Sequence, residues 1–289
     1  MGRIDTHMIT IGLLHSTIRG DEKLILDAAK KRNIKIKLID VREEVFNRNS
    51  YSLDFNVALE RCVSTVKGTH ATRFFESLGV QVVNSSSIAA ICEDKFVTSL
   101  ILQKAKVPTP DFAMVFNPIQ ARTAIEQMGG YPVVIKPPLG SWGRLLAKVN
   151  DEDALDAILE HKEALGSPQQ KSFYLQKFIK KPGRDIRTFV IDGVTIAAIY
   201  RDSPHWITNT ARGGVATNCP VTKELSQISK DASDAVGGGI LSMDVFETES
   251  GMQINEINHT TEFKNSEKPT GVSISGAIVD YCLSIAKKI

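Results

Sequence analysis

Cysteine is scarce and unpatterned in this sequence. Cys62, Cys92, Cys219 and Cys282 are the only four in 289 residues, they lie far apart, and no C-x-x-C occurs. That spacing indicates neither a zinc site nor a disulfide framework, and predicts reduced thiols in a cytoplasmic protein. No window of about 18 apolar residues is present, so no membrane-spanning helix is expected. The excess of one charge sign is small: a formal net charge of +2 does not by itself imply nucleic acid. No G-x-G-x-x-G follows the first apolar run, which weakens a dinucleotide reading, and there is no G-K-[ST] of a P-loop. The opening Met1–His7 is polar, lacks an apolar h-region and precedes a second Met8, so it reads as an expression leader and not a signal peptide.

What is present is ordinary globular composition. With 42% hydrophobic and 24% charged residues the chain can bury a large core in two or three domains. From Met8 an apolar run (9–14), a stretch of helical spacing (21–31) and an alternating run (34–39) form a βαβ opening, hence a parallel sheet. A helix ending near Gly79, a strand over 80–84 and hydroxyl caps at Ser85–Ser87 complete one α/β unit.

The most informative stretch is 243–265. Asp244 lies in an apolar run, Glu249-Ser250-Gly251 marks a turn, and Met252, Ile254 and Ile257 flank Glu256 and Asn258, which predicts a β-hairpin. Acids are poor strand formers and costly to bury unpaired, so Asp244, Glu256 and Asn258 need cationic company. Two carboxylates and an amide oxygen suit Mg²⁺; a surface hairpin with outward acids fits the same spacing.

Three other segments suggest phosphate and purine chemistry. Lys95 opens a helix, where a cation is unfavourable unless an anion shares the site. Lys136 ends a β-branched run and is followed by Gly140, Ser141, Trp142, Gly143 and Arg144, whose glycines let the backbone approach a phosphate. A solvated lysine and a plain turn are the alternatives. The apolar 173–179 run, broken by Lys180-Lys181-Pro182-Gly183, can offer backbone groups to an adenine edge. The charged helix over 151–165 reads as solvated scaffolding. His205 and His259 read as hydrogen-bonding structural groups in polar loops and not as bases.

The order D-K (94–95), V-I-K-P (134–137), G-S-W-G-R (140–144), L-Q-K-F-I (175–179), G-R-D-I-R (183–187), R-G-G (212–214), Asp244 and N-E-I-N (255–258) resembles the ATP-grasp carboxylate–amine ligases. Within them the chain is similar to the RimK-like branch and its LysX-type members, with E-R-C-V-S (60–64), H-W-I-T-N-T-A-R-G-G (205–214) and N-H-T-T-E-F-K-N (258–265) as the more specific matches. The resemblance implies an ATP-grasp fold, α/β and then α+β in the C-terminal part, with an N-terminal parallel α/β domain (8–92), a central subdomain (93–179) and a C-terminal subdomain carrying the metal hairpin (180–289).

It also implies ATP and Mg²⁺ as cofactors. Lys95, Lys136, the 140–144 loop, Gln176, Lys177, Phe178, Ile179, Asp185, Arg201 and Asn209 would contact the nucleotide, with Lys177 standing where the family usually has Glu. Asp244, Glu256 and Asn258 would hold the metal. Arg201 and Arg212 would neutralise charge on the transferring oxygens. Arg187, Arg212, Gly213, Asn265 and Ser266 would meet the substrate, the last two as the end wall of the amino-acid pocket. The implied reaction joins the C-terminal Glu side-chain carboxylate of an acidic LysW-type amino-group carrier protein to the α-amino group of α-aminoadipate, through an acyl phosphate, in lysine biosynthesis. Glutamate as acceptor, for arginine biosynthesis or in a bifunctional enzyme, is one alternative, and another ligase of the same mechanism, of RimK or glutathione-synthetase type, is a second. A non-catalytic ATP- or carrier-binding module is the alternative of another class. Arg61, Lys67, Arg73 and Lys264 are expected to steer the carrier. A homo-oligomer is expected, with no nucleic acid or membrane partner.

Overall fold

The computed structural model describes residues 9–140, 145–166, 171–208 and 215–287. The first unit is β1 (Thr10–His15), α1 (Gly20–Lys31), β2 (Lys35–Asp40), β3 (Val57–Glu60), α2 (Thr65–Ser77) and β4 (Gln81–Val83). Its strands form a wholly parallel sheet in the order β2-β1-β3-β4. All six residues of β1 are buried, as expected of a strand covered on both faces. The chain leaves β1 towards one edge and β3 towards the other, so a crevice opens between their carboxyl ends. Phe46, Tyr51, Phe55, Phe74 and Phe75 cluster on one face under the long β2–β3 connection.

Ser85 begins α3 (Ser86–Glu93) by accepting from Ile88 N–H at 3.3 Å, the hydroxyl cap foreseen from sequence. Asp94 caps α4 (Lys95–Lys104) through Phe96 and Val97 N–H. The second sheet, antiparallel in the order β5-β8-β6-β7, comprises β5 (Phe112–Val115), β6 (Val133–Lys136), β7 (Ala147–Val149) and β8 (Phe173–Lys177). Val133, Ile135, Phe173 and Leu175 pack on α5 (Pro118–Gln127) and α6 (Glu152–Leu165). Period-two alternation therefore turns Val134, Lys136 and Gln176 to the other face.

The third sheet is antiparallel, β11-β10-β9-β12-β13, built from β9 (Arg184–Ile191), β10 (Val194–Asp202), β11 (Val215–Asn218), β12 (Ile240–Thr248) and β13 (Gly251–Asn258). Its apolar face (Ile186, Val190, Met243, Ile254, Ile257) packs on α7 (Lys223–Val236) and on α3 and α4. The β12–β13 hairpin turns at Glu249–Ser250, as the sequence predicts, with Gly251 at φ 113°. A β-bulge follows Asp244, which pairs with Glu256 while Val245 pairs with Ile254. Asn255 is the extra residue, and the bulge brings it to the same cleft as Glu256.

After the short α8 (Glu267–Thr270), α9 (Ile274–Ala286) returns to the first unit. Ile274, Ile278, Val279 and Cys282 share one core with Ile11, Leu13 and Ile25 of β1 and α1. All four cysteines are free and buried. No helix among the described residues is long and apolar enough to cross a membrane.

Candidate functional site

Two clefts open on the polar faces of these sheets, and they meet at two residues. The inner cleft, about 660 Å³, lies between the second and third sheets and is lined by Lys136, the 176–179 segment, Asp185, Arg201, Asp244 and Glu256. The outer cleft, about 1960 Å³, lies at the crevice of the parallel sheet, between α2, α3 and the end of β13, and is also lined by Asp244 and Glu256.

The inner cleft is organised by charge. Lys136 is 5% exposed, and its Nζ donates to Asn255 Oδ1 at 3.2 Å. Burial pushes its pKa down to about 8, against the opposing pull of Glu256. Arg201 is buried and forks onto Asp185, with both bonds at 2.7 Å, while its Nη2 also lies 2.9 Å from Asp244 Oδ2. Burial opposes its charge, but Asp244 and Asp185 keep the guanidinium protonated. Its Nη1 has no partner among the described residues. Asp244 also receives Arg187 at 2.9 and 3.1 Å. Burial disfavours the Asp244 carboxylate, yet the two arginines hold its pKa well below the usual range. The cationic company foreseen for the strand acids is thus arginine, and Arg187, expected to meet substrate, forks onto Asp244 at the edge of the outer cleft.

Gln176 is 3% exposed, and its Nε2 lies 3.4 Å from the Tyr174 hydroxyl. Lys177 N–H donates to Asp111 O (2.8 Å) and Phe178 N–H to Pro132 O (3.3 Å). These two amides, expected to read a purine, are already engaged, which leaves their carbonyls and Ile179. The Lys177 side chain is exposed beside Asp111, consistent with a backbone role at this position.

Lys95 Nζ donates to Gly140 O at 2.6 Å and lies 3.9 Å from Glu256 Oε1, so this helix-opening lysine sits where the 140–144 loop begins. Ser141, Trp142, Gly143, Arg144, Asn209, Arg212 and Gly213 lie outside the described residues.

Asp244, Glu256 and Asn258 share the polar face of β12 and β13, and all three line the outer cleft. Among the described residues no three His, Cys, Asp or Glu side chains are grouped to hold a metal. The set here is two carboxylates and an amide whose Nδ2 has no partner among the described residues. Its hard oxygen donors fit Mg²⁺, with remaining positions for water or phosphate.

Asn265 is exposed and Ser266 is buried at the start of α8, its carbonyl accepting Thr270 Oγ1 at 2.7 Å, and among the described residues lining the two clefts neither occurs. Two sequence expectations change. Arg61 is 2% exposed, bonded to Glu22 (2.9 Å) and Thr261 O (2.8 Å), and is therefore a buried tie and not a steering charge. Lys181, read only as part of a break, is half-buried and lines the inner cleft with Nζ 3.1 Å from Thr208 Oγ1 and 4.9 Å over the Phe246 ring. Thr208 Oγ1 in turn donates to Asp185. Nothing in the local pattern distinguishes Lys181 from Lys180, since its partners come from β9, β12 and the 203–208 loop. Of the expected steering charges, Lys67, Arg73 and Lys264 are exposed. His205 Nδ1 accepts from Ile207 N–H at 3.0 Å, the structural role expected of it.

Comparison with known proteins places this arrangement. A RimK-like ATP-grasp domain model matches residues 92–282, and a LysX preATP-grasp domain model matches residues 11–91. The chain is 32% identical over 274 residues to the alpha-aminoadipate–LysW ligase LysX of Saccharolobus solfataricus, covering 93% of this chain and 99% of that one. It is 32% identical over 272 residues to the glutamate–LysW ligase ArgX of Sulfurisphaera tokodaii, covering 93% and 96%. Its fold is similar to that of a RimK domain ATP-grasp protein from Sphaerobacter thermophilus (TM-score 0.78, 24% identity, 94% and 98% covered). It is also similar to the ATP-grasp ligase PsnB, solved with a minimal precursor, Mg and ADP (TM-score 0.71, 18% identity, 96% and 98% covered). The two clefts thus belong to an ATP-dependent ligase that uses ATP and Mg²⁺, and the chain belongs to the RimK-like ATP-grasp family.

Proposed function

We propose that this enzyme joins the C-terminal Glu side-chain carboxylate of a LysW-type carrier protein to the α-amino group of α-aminoadipate, in lysine biosynthesis. The observation that carries the reading is the meeting of the two clefts at Asp244 and Glu256. A nucleotide in the inner cleft and an acceptor in the outer one would be brought together at the acids suited to metal. The division at residues 93 and 180 into three units, forming a homo-oligomer, belongs to the same reading.

A carboxylate is a poor acyl donor and must first become an acyl phosphate, so negative charge has to be balanced during phosphoryl transfer. Lys136 and Arg201 stand ready for this: among the described residues the first is bonded only to a neutral amide and the second has a buried N–H unengaged. Asp244, Glu256 and Asn258 would hold Mg²⁺, which supplies charge neutralisation across the phosphates. Gln176 and the 177–178 carbonyls would face the purine, Asp185 the ribose, and Lys95 the phosphate end beside Gly140. Ser141–Arg144, Asn209, Arg212 and Gly213 keep the roles that the resemblance gives them. Glutamate as acceptor is the second reading, favoured by the equal identity to a glutamate–LysW ligase.

The test is ADP release by the purified enzyme with ATP, Mg²⁺, a LysW-type carrier and either α-aminoadipate or glutamate, with each component omitted in turn. Release that needs carrier and is faster with α-aminoadipate is expected. ADP formed equally well without carrier would overturn the reading.

A further inference from the structure

Among the described residues, the lining of the outer cleft carries more negative charge than metal binding requires: five acidic side chains against three from Lys and Arg, and these three cations are engaged. Arg19 bonds Glu22 and Glu262, Arg187 bonds Asp244, and Lys95 lies between Gly140 O and Glu256. With Asp244 and Glu256 assigned to the metal and Glu262 paired with Arg19, Glu60 and Glu93 remain. Glu60 accepts from Cys62 N–H at 2.6 Å and Thr260 Oγ1 at 2.9 Å. Glu93 accepts from Thr69 Oγ1 at 2.8 Å and stands 3.5 Å from His259 Nε2, with its side chain 20% exposed. Although burial opposes its charge, bonds to His259 and Thr69 keep Glu93 below the usual carboxyl pKa.

A second observation points the same way. Ser242, next to Asp244 on β12 with one residue between, lines this cleft, is 0% exposed, and its Oγ has no partner among the described residues. A fully buried hydroxyl left without a partner incurs a desolvation penalty that a bound ligand can remove. A carboxylate ligand would be repelled by this wall, whereas an ammonium group suits both a fixed carboxylate and a free hydroxyl oxygen.

We propose that Glu93, fixed by Thr69 and His259 on the wall of the outer cleft, anchors the ammonium group of the amino-acid acceptor, with the Ser242 hydroxyl as a neutral partner on the floor. This rests on the outer cleft being the acceptor site. It assigns the orientation of the acceptor: amine towards α3 and the end of β13, carboxylates away from Glu60 and Glu93.

Binding of α-aminoadipate and of adipate, which has the same two carboxylates and no amine, tests this by calorimetry on the whole enzyme with Mg²⁺ and a non-hydrolysable ATP analogue. Wild type is expected to prefer α-aminoadipate by about 10–100-fold, the range of a hydrogen bond to a charged group. Glu93→Gln should bring that ratio close to one without weakening adipate, and Thr69→Val should lower it partway. Equal affinities in wild type, or an unchanged ratio in Glu93→Gln, overturn the proposal. If Glu93→Gln fails to fold by circular dichroism, an unchanged ratio in Thr69→Val does so. The readout is separate from turnover. Wild type that binds α-aminoadipate selectively yet releases no ADP with carrier would overturn the ligase pairing while supporting the anchor.

Discussion

Asp244 and Glu256 face each other across the β12–β13 pair, yet their surroundings differ completely. Asp244 is gripped by Arg187 and Arg201, whereas among the described residues Glu256 has one ion-pair partner, Lys95 at 3.9 Å, with Lys136 further off. The two acids therefore separate function from stability. Glu256→Gln should nearly abolish ligation and leave the melting temperature unchanged. Asp244→Asn should also abolish it and should lower stability by about 1–3 kcal/mol, because half-buried Arg187 loses its carboxylate partner while Arg201 keeps Asp185. ADP release and urea denaturation on both variants check this; full activity of Glu256→Gln at saturating Mg²⁺ would refute the metal role.

Lys136 gives a pH signature. Its folded pKa of about 8 lies below the ordinary lysine value of 10.5. Below pH 8 it is protonated both folded and unfolded. Between the two values only the unfolded chain holds the proton, so its contribution makes stability rise with pH, by about 3 kcal/mol across the window. Lys136→Met should remove that rise, weaken ATP binding and slow phosphoryl transfer, while Lys162→Met on α6 should leave ATP binding and phosphoryl transfer unchanged. Denaturation of wild type and variant from pH 7 to 10.5 measures the difference.

Arg61 and the exposed α2 charges should behave oppositely. Arg61→Met leaves Thr261 O and part of Glu22 unsatisfied, a loss of about 1–3 kcal/mol, since Arg19 still holds Glu22. Salt dependence of carrier association should be unchanged by it. Lys67→Ala with Arg73→Ala should slow association with an acidic carrier at low salt and leave stability unchanged. Stopped-flow association at two ionic strengths distinguishes them.

Asn265→Gly with Ser266→Phe tests specificity. A ring at buried Ser266 overpacks the start of α8, which rests on β10 and β11, at about 1–3 kcal/mol. The expected result is a lower melting temperature together with a kcat/KM ratio shifted towards glutamate. A lower melting temperature with an unaltered ratio would show that specificity lies elsewhere.

Much of this architecture was legible locally. The βαβ opening, the Ser85 cap and the acid-bearing hairpin depend on spacing within a few residues, and all three stand where the sequence puts them. Lys136 was legible because it ends a continuous β-branched run. What stayed hidden depends on distant partners. The bulge that brings Asn255 to Lys136 is a register property of two strands. Arg61 looked like a surface charge until Glu22, 39 residues away, and Thr261, 200 away, closed on it. Ser242 is unremarkable as a serine in a strand; only the cleft beside it gives its hydroxyl a use. The place of α9 on the first sheet is likewise invisible to periodicity, which says that a helix has an apolar face but not which sheet receives it.

The segment after β13 has a consequence for recombination. Asp21 accepts from Phe263 and Lys264 N–H, Arg61 holds Thr261 O, Glu60 holds Thr260, and Asn84 holds His259 O. Residues 259–264 therefore belong structurally with the first unit, although they lie far along the chain. A chimera that takes 9–91 from a relative would keep these ties only where that relative carries the same side chains at positions 21, 60, 61 and 84, since the later segment contributes backbone atoms at every tie but Thr260. The module that an engineer can swap is thus discontinuous in sequence but fixed by four side chains of the first unit.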